Sequence, residues 1–232
     1  LQRISIPIIL CTSKTASEVK VIRKELNLTD PYIVENGGAI YGESLEKVNG
    51  EIILGKKYEF LEEILNSISK EVDYKLIPLN NLTDQEATQL TGLKGDSLTL
   101  MRDRNWSMPF LNPPSALEEK INICCSKFKV DIFRGNRMSH LLSTNSNKGK
   151  AINALKKYSN IEDIKIIGLG DSPNDLPLLL NSDFRIVIPG IDGPNLKLLN
   201  QLKDLEFILA SEPNGYGWKN EINKFINKRE LS

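Results

Sequence analysis

Ile166–Leu180 reads I-I-G-L-G-D-S-P-N-D-L-P-L-L-L, and its pattern decides the fold class. An apolar run ends in Gly168-Leu169-Gly170, after which Asp171, Ser172, Asn174 and Asp175 crowd together before a leucine-rich helix. That order predicts a buried strand delivering carboxylates to the C-terminal edge of a parallel sheet, where open α/β folds place their ligands. Asp171 and Asp175 carry hard oxygens suited to Mg²⁺, and Asn174 adds an amide beside them. Mg²⁺ takes one or two protein carboxylates and fills its other positions with water and phosphate. A capped helix would explain a single Asp or Ser here. Two carboxylates, an amide and a glycine-flanked strand end favour the metal corner.

The same grammar appears towards both ends. Ile6–Cys11 is a short apolar run that breaks into Thr12-Ser13-Lys14-Thr15, a strand followed by a polar loop. Ser17–Leu26 has helical spacing through Val19, Ile22 and Leu26. Pro31–Val34 reads as a strand running into Glu35-Asn36-Gly37-Gly38, whose paired glycines permit positive φ, and Ala39–Tyr41 leaves as another strand. Strand–helix–strand alternation predicts a parallel sheet with crossover helices. After Lys148 the alternation resumes, with helices over Gly149–Tyr158, Leu176–Asn181 and Trp218–Asn227 and strands over Lys165–Leu169, Arg185–Ile188 and Phe207–Leu209.

The middle has a different character. Tyr58–Ser69, Asp84–Thr91 and Ala116–Lys127 are amphipathic helices, and Val130–Phe133 and Met138–Leu142 are short strands around the turn Arg134-Gly135-Asn136-Arg137. Gly95-Asp96-Ser97 repeats the letters G-D-S without a preceding strand or a following Asn-Asp, and reads as a turn. The expected organisation is α/β: a Rossmann-like parallel-sheet core, residues 1–48 and 142–232, split around an α+β module at 49–141.

Composition sets the bounds. Thirty basic and thirty acidic residues cancel, so no global field favours nucleic acid or an anionic membrane. No apolar run approaches the roughly 20 residues of a membrane span. The cysteines Cys11, Cys124 and Cys125 make neither a disulfide framework nor a zinc spacing and fit a reduced, cytoplasmic protein. A lone histidine, His140, excludes multi-histidine metal sites, and the absence of a G-x-S-x-G elbow excludes a serine hydrolase of that type. A receiver-type signalling domain is disfavoured by the long insert and by Lys148 lying upstream of the acidic turn.

Thr12-Ser13-Lys14, Glu35-Asn36-Gly37-Gly38 and Asp171–Asp175 all stand at predicted strand ends of one sheet. Thr12 has a hydroxyl for a phosphate oxygen, the Ser13 amide lies beside it, and Lys148 supplies a point charge for the same anion. This order resembles the haloacid-dehalogenase superfamily of phosphatases. Thr12 looks like its Ser/Thr motif, Lys148 its lysine, and Gly170–Asp175 its acidic turn. Leu10–Thr15, Pro31–Tyr41, Leu90–Leu93, Arg104 with Pro109-Phe110, Arg134-Gly135 with Arg137 and His140, Gly168–Leu179 and Gly215–Trp218 narrow it further. Together they are similar to mannosyl-3-phosphoglycerate phosphatases over essentially the whole chain.

The resemblance implies a Mg²⁺ cofactor, an aspartyl-phosphate intermediate and a small phosphorylated sugar-acid substrate, in the synthesis of a compatible solute. It implies that Ser13, Lys14, Asn36 and Gly37 line the substrate site and that the insert closes over it. Arg104, Arg137 and His140 would face the phosphoglycerate or sugar, with Arg137 suited to clamp a carboxylate. His140 would either contact a sugar hydroxyl or satisfy its hairpin. Met108 stands where the family commonly has Glu, Asn136 where a second glycine is usual, and Met138-Ser139 replaces an aromatic pair. The sugar therefore stays open between mannosyl, glucosyl and another sugar acid. The family's nucleophile and acid–base residue form an Asp-x-Asp triplet, and residues 1–232 contain none. The expectation is a chain whose first motif lies on the order of 30 residues upstream, one crossover unit away, with a non-catalytic sugar-phosphate binding relative as the alternative.

Overall fold

The computed structural model describes residues 1–135, 137–159 and 163–230. In chain order the elements are β1 (Leu10–Cys11), α1 (Ala16–Glu25), β2 (Tyr32–Val34), β3 (Ala39–Tyr41), β4 (Glu51–Ile53), α2 (Tyr58–Val72), α3 (Asp84–Thr91) and α4 (Asp96–Arg102). Then follow β5 (Met108–Leu111), α5 (Glu118–Phe128), β6 (Val130–Arg134), β7 (Met138–Ser143), α6 (Lys148–Tyr158) and β8 (Ile167–Gly170). The chain closes with α7 (Leu176–Leu180), β9 (Phe184–Val187), α8 (Leu196–Leu202), β10 (Ile208–Leu209) and α9 (Asn214–Glu230). It divides into two compact units, Leu1–Ala151 and Ile152–Ser232.

In the first unit, β1 and β2 pair in parallel, Leu10 opposite Tyr32, with α1 as the crossover. Thr15 starts α1 with a reciprocal capping box: its hydroxyl accepts from the Glu18 amide while Glu18 accepts from the Thr15 amide. The expected strand over Ile6–Cys11 contracts to β1. The expected continuation of the parallel sheet fails at β3, which pairs antiparallel with β2, Val34 opposite Ala39. Only Glu35–Gly38 joins them, and so short a link cannot make the crossover that parallel strands require. β4 then pairs antiparallel with β3. Val19, Tyr32, Val34 and Ala39 are the buried core beneath α1, with Trp106 packed against it.

A second sheet in this unit, in the order β5-β7-β6, is antiparallel throughout. Leu61, Ile64, Leu65, Ile68 and Val72 recur at helical spacing on α2 and pack with Phe110, Ile121 and Leu141. The G-D-S stretch expected as a turn is instead the start of α4: Gly95 is its N-cap at φ 56 and Asp96 begins the helix. Leu98 and Met101, one turn apart, are buried against Leu79 and Ala87 and hold it. Asn136 lies outside the described residues.

In the second unit, β10-β9-β8 form a parallel sheet, with Ile167 opposite Phe184 and Ile186 opposite Ile208. Leu179, Val187, Leu198 and Leu202 are fully buried beneath α7 and α8. β8 and β1, expected in one sheet, belong to separate ladders among the described residues.

Candidate active site

The Thr12–Lys14 loop leaves the C-terminal end of β1 and is held from both sides by backbone bonds. The Thr12 amide donates to the Ile33 carbonyl at 3.0 Å, and the Thr12 carbonyl accepts from the Asn36 amide at 2.9 Å. The Lys14 carbonyl accepts from the Glu35 amide at 2.9 Å. The Lys14 amide donates to Thr12 Oγ1 at 3.2 Å, occupying one lone pair and leaving the hydroxyl proton to be donated elsewhere. Lys14 itself turns to Glu18, Nζ to Oε1 at 2.9 Å, a pair half-exposed on the lysine side.

The turn after β2 is bent unusually. Glu35, Asn36 and Gly37 take φ 48°, 58° and 95° in succession. A Cβ on Gly37 would stand 2.3 Å from the Asn147 carbonyl oxygen and 2.9 Å from the Lys148 amide nitrogen, so the glycine lets the start of α6 approach. Lys148, the first residue of α6, is 5% exposed. The structure therefore brings together Thr12, Ser13, Asn36, Gly37 and, at the start of α6, Lys148.

Arg104 joins this group from the segment between α4 and β5. Its Nη1 donates to the Ser13 carbonyl at 2.9 Å and to Ser107 Oγ at 3.1 Å, and its Nε to the Met101 carbonyl at 3.1 Å. Desolvation pulls its pKa down, and the carboxylates of Glu35 and Glu18 pull it back up. His140 lies in β7 opposite Pro109 and Phe133. Burial first, then the Arg104 charge, push its pKa down to about 3, so the imidazole is neutral. Its Nδ1 is buried without a hydrogen-bond partner. Tyr58, at the start of α2, is pushed up to about 12, mainly by burial and secondly by Glu62. Arg137 is set apart: it is exposed and donates from Nη1 to the Thr91 carbonyl at 2.7 Å.

Sequence reasoning missed the centre of this arrangement. Glu35 is fully buried and accepts from the amides of Asn105 (3.0 Å) and Trp106 (3.1 Å) and from Ser107 Oγ (2.7 Å). Its place in E-N-G-G was a visible signal. Its partners, 70 to 72 residues further on, carry no local mark.

The acidic turn belongs to the second unit. Gly170 has no Cβ, which would stand 2.5 Å from that of Asp175. Asp175 Oδ2 accepts from the Asp171 amide (3.0 Å), the Ser172 amide (3.1 Å) and Ser172 Oγ (3.1 Å). Asp175 is 5% exposed, whereas Asp171 is exposed. Asn174 Oδ1 lies beside the same Ser172 hydroxyl and shares its one proton with Asp175 Oδ2. The turn is thus a capping box built on Asp175, with Asp171 presented at its rim. Among the described residues no three His, Cys, Asp or Glu gather as a metal cluster. One or two carboxylates are still all that Mg²⁺ asks of a protein when phosphate and water complete its shell.

Residues 1–188 match the model of the haloacid dehalogenase-like hydrolases. The chain belongs to that family. A protein of Persephonella marina named glucosyl-3-phosphoglycerate/mannosyl-3-phosphoglycerate phosphatase is 30% identical over 243 residues, covering 99% of this chain and 88% of the relative. One of the same name from Methanococcoides burtonii is 31% identical over 250 residues, covering 98% and 88%. These relatives place the hydrolase within the mannosyl-3-phosphoglycerate phosphatase family, and at that level it is a phosphoric monoester hydrolase. The sucrose-phosphatase of Synechocystis sp. PCC6803, solved with sucrose and phosphate, has the same fold at a TM-score of 0.64 and 15% identity, covering 97% of this chain and 86% of that one. The hydrolase fold is accordingly a Rossmann-like core with an inserted α+β cap. No helix among the described residues is long and apolar enough to cross a membrane.

Proposed function

We propose that the chain acts on a glycosyl-3-phosphoglycerate, glucosyl or mannosyl, as a Mg²⁺-dependent phosphatase that releases the glycosylglycerate and phosphate in compatible-solute synthesis. The observation that carries this reading is the Thr12–Lys14 loop, braced by Asn36 and Glu35 and flanked by Arg104. Thr12 donates its hydroxyl proton to a phosphoryl oxygen, the Lys14 amide bond using only one of its acceptor lone pairs. Lys148 adds a cation at the N-terminus of α6, where the helix dipole also favours an anion. Arg104 and His140 read the sugar-acid end, His140 as a neutral hydrogen-bonding group. Residues 49–141 act as the cap.

For the metal, Asp171 is the exposed carboxylate suited to meet a cation, while Asp175 and Asn174 shape the turn that presents it. When bound, Mg²⁺ supplies positive charge against the phosphoryl oxygens. The test is phosphate release from glucosyl- and mannosyl-3-phosphoglycerate with Mg²⁺ and with EDTA. The 232-residue chain is assayed beside one extended through the reading frame upstream of the Leu1 codon. Turnover confined to the extended chain locates the phosphoryl acceptor there, and turnover in both locates it within these residues. Asp171→Asn should reduce Mg²⁺-dependent release at least about a hundredfold, a loss of roughly 2.7 kcal/mol of transition-state stabilisation; unchanged turnover rejects the metal assignment. The lack of an Asp-x-Asp triplet favours a second reading, a non-catalytic sugar-phosphate binding relative. Phosphate binding without release in either chain would select it.

A further inference from the structure

Glu35 stands beside the Thr12–Lys14 loop as a fully buried charged side chain. It is 0% exposed, and three donors from Asn105, Trp106 and Ser107 converge on its two oxygens. Oε1 accepts from the Asn105 amide, and Oε2 accepts from both the Trp106 amide and Ser107 Oγ. The Glu35 backbone is held in the left-handed region at φ 48°, a conformation a glutamate rarely adopts. Such a conformation persists only where the surroundings fix it, and three bonds to the carboxylate do so.

The carboxylate also has a route to the anion loop. Ser107 Oγ donates to Glu35 Oε2 at 2.7 Å and accepts from Arg104 Nη1 at 3.1 Å. The same Nη1 donates to the Ser13 carbonyl at 2.9 Å. The Glu35 amide, meanwhile, donates to the Lys14 carbonyl. One residue therefore touches the loop through its backbone and reaches it again through Ser107 and Arg104. Two further bonds tie the C-terminal end of the preceding α4 to the start of α1: Thr15 Oγ1 donates to the Leu100 carbonyl at 2.7 Å, and Ser17 Oγ donates to Asp103.

We propose that Glu35 is a positioning residue whose carboxylate holds Arg104 and the Asn105–Ser107 segment against the Ser13 carbonyl, and so sets the cationic wall beside the anion loop. The proposal rests on the reading of Thr12–Lys14 as that loop. Glu35 touches no reacting atom. It fixes where a second anionic group, such as the carboxylate of a phosphorylated sugar acid, meets Arg104.

Two measurements on the 232-residue chain test it: isothermal titration with inorganic phosphate and with 3-phosphoglycerate, and amide hydrogen exchange. In Glu35→Gln one acceptor becomes a donor facing the Asn105 amide. The 3-phosphoglycerate dissociation constant should rise roughly tenfold, about 1.4 kcal/mol, while that of phosphate shifts by less than about twofold. Exchange should quicken at residues 12–14 and 105–107 and hold elsewhere. Glu35→Gly relieves the backbone strain but lacks the carboxylate, so a purely conformational role predicts that it behaves like wild type and the proposal predicts that it behaves like Glu35→Gln. If Glu35→Gln does not fold, Ser107→Ala, which removes only the relay hydroxyl, is read in the same two ways. Equal weakening of both ligands, or exchange quickened uniformly through Leu1–Ala151, would overturn the proposal. Should the wild type bind neither ligand, the loop reading fails, and the exchange pattern alone decides the role of Glu35.

Discussion

At the scale of the residue, the chemistry turns on polar groups that burial has changed. His140 is the clearest case. Its pKa falls from the ordinary 6.5 to about 3 because burial, and then Arg104, oppose a charged imidazole. Below pH 6.5 the unfolded chain takes up a proton that the folded chain refuses, so folding stability declines as pH falls from 6.5 towards 3. One group contributes a slope of at most about 1.4 kcal/mol per pH unit. His140→Gln should flatten that part of the profile, measured as the urea midpoint between pH 7 and 4.5 in both proteins. Asp183, whose carboxyl is held low first by the Ile166 amide, adds its own acid loss and is common to both, so the difference isolates the histidine. Identical slopes would mean that the imidazole titrates freely in the folded state.

At the scale of the element, what was legible followed from local signals. The 3.6-residue spacing of Leu61, Ile64, Leu65 and Ile68 marks α2, and the Thr83–Glu86 capping box marks the start of α3. Strand ends before T-S-K and G-D-S-P-N-D were legible because glycine and small polar residues punctuate apolar runs. β5 was not, because Pro109 sits inside it. Proline is tolerated there since β5 is the edge of its three-stranded ladder. α4 hid behind Gly95, a residue whose positive φ resembles a turn until Leu98 and Met101 are seen to be buried. The short strand β4 offers only one buried residue, Ile52, too little for a period. The α1 cap carries a prediction of its own. Thr15 both caps the helix and anchors the Leu100 carbonyl, so Thr15→Ala should cost about 2 kcal/mol, from a lost cap and a lost hydrogen bond, while Thr15→Ser stays near wild type. Equilibrium urea unfolding measures both, and a loss no larger than that of an exposed cap would remove the Leu100 anchor from the account.

At the scale of the whole molecule, the sequence expectation of an insert and the compact units divide the chain differently, at 49–141 and at Ala151. Both divisions have a physical basis. The largest described cluster of buried side chains, Leu61 through Leu141, lies inside the insert and includes the fully buried Phe110. The cluster under α1 is distinct, and is built on Val19, Tyr32, Val34 and Ala39. Yet the insert is fastened to the first 48 residues by Glu35, Arg104 and Thr15, which is why no boundary between them stands out in compactness. If the insert keeps a core of its own, destabilising that core should loosen it first. Phe110→Ala leaves a cavity and should cost about 3–5 kcal/mol. Native-state hydrogen exchange should then show protection falling across α2, α5 and β5–β7, while α1, β1 and β2 keep theirs, because cooperative units open separately when their cores are separate. Equal loss throughout Leu1–Ala151 would instead mean that the bonds from Glu35, Arg104 and Thr15 fuse insert and core into a single folding unit, and the cap would then have no independent opening with which to admit a substrate.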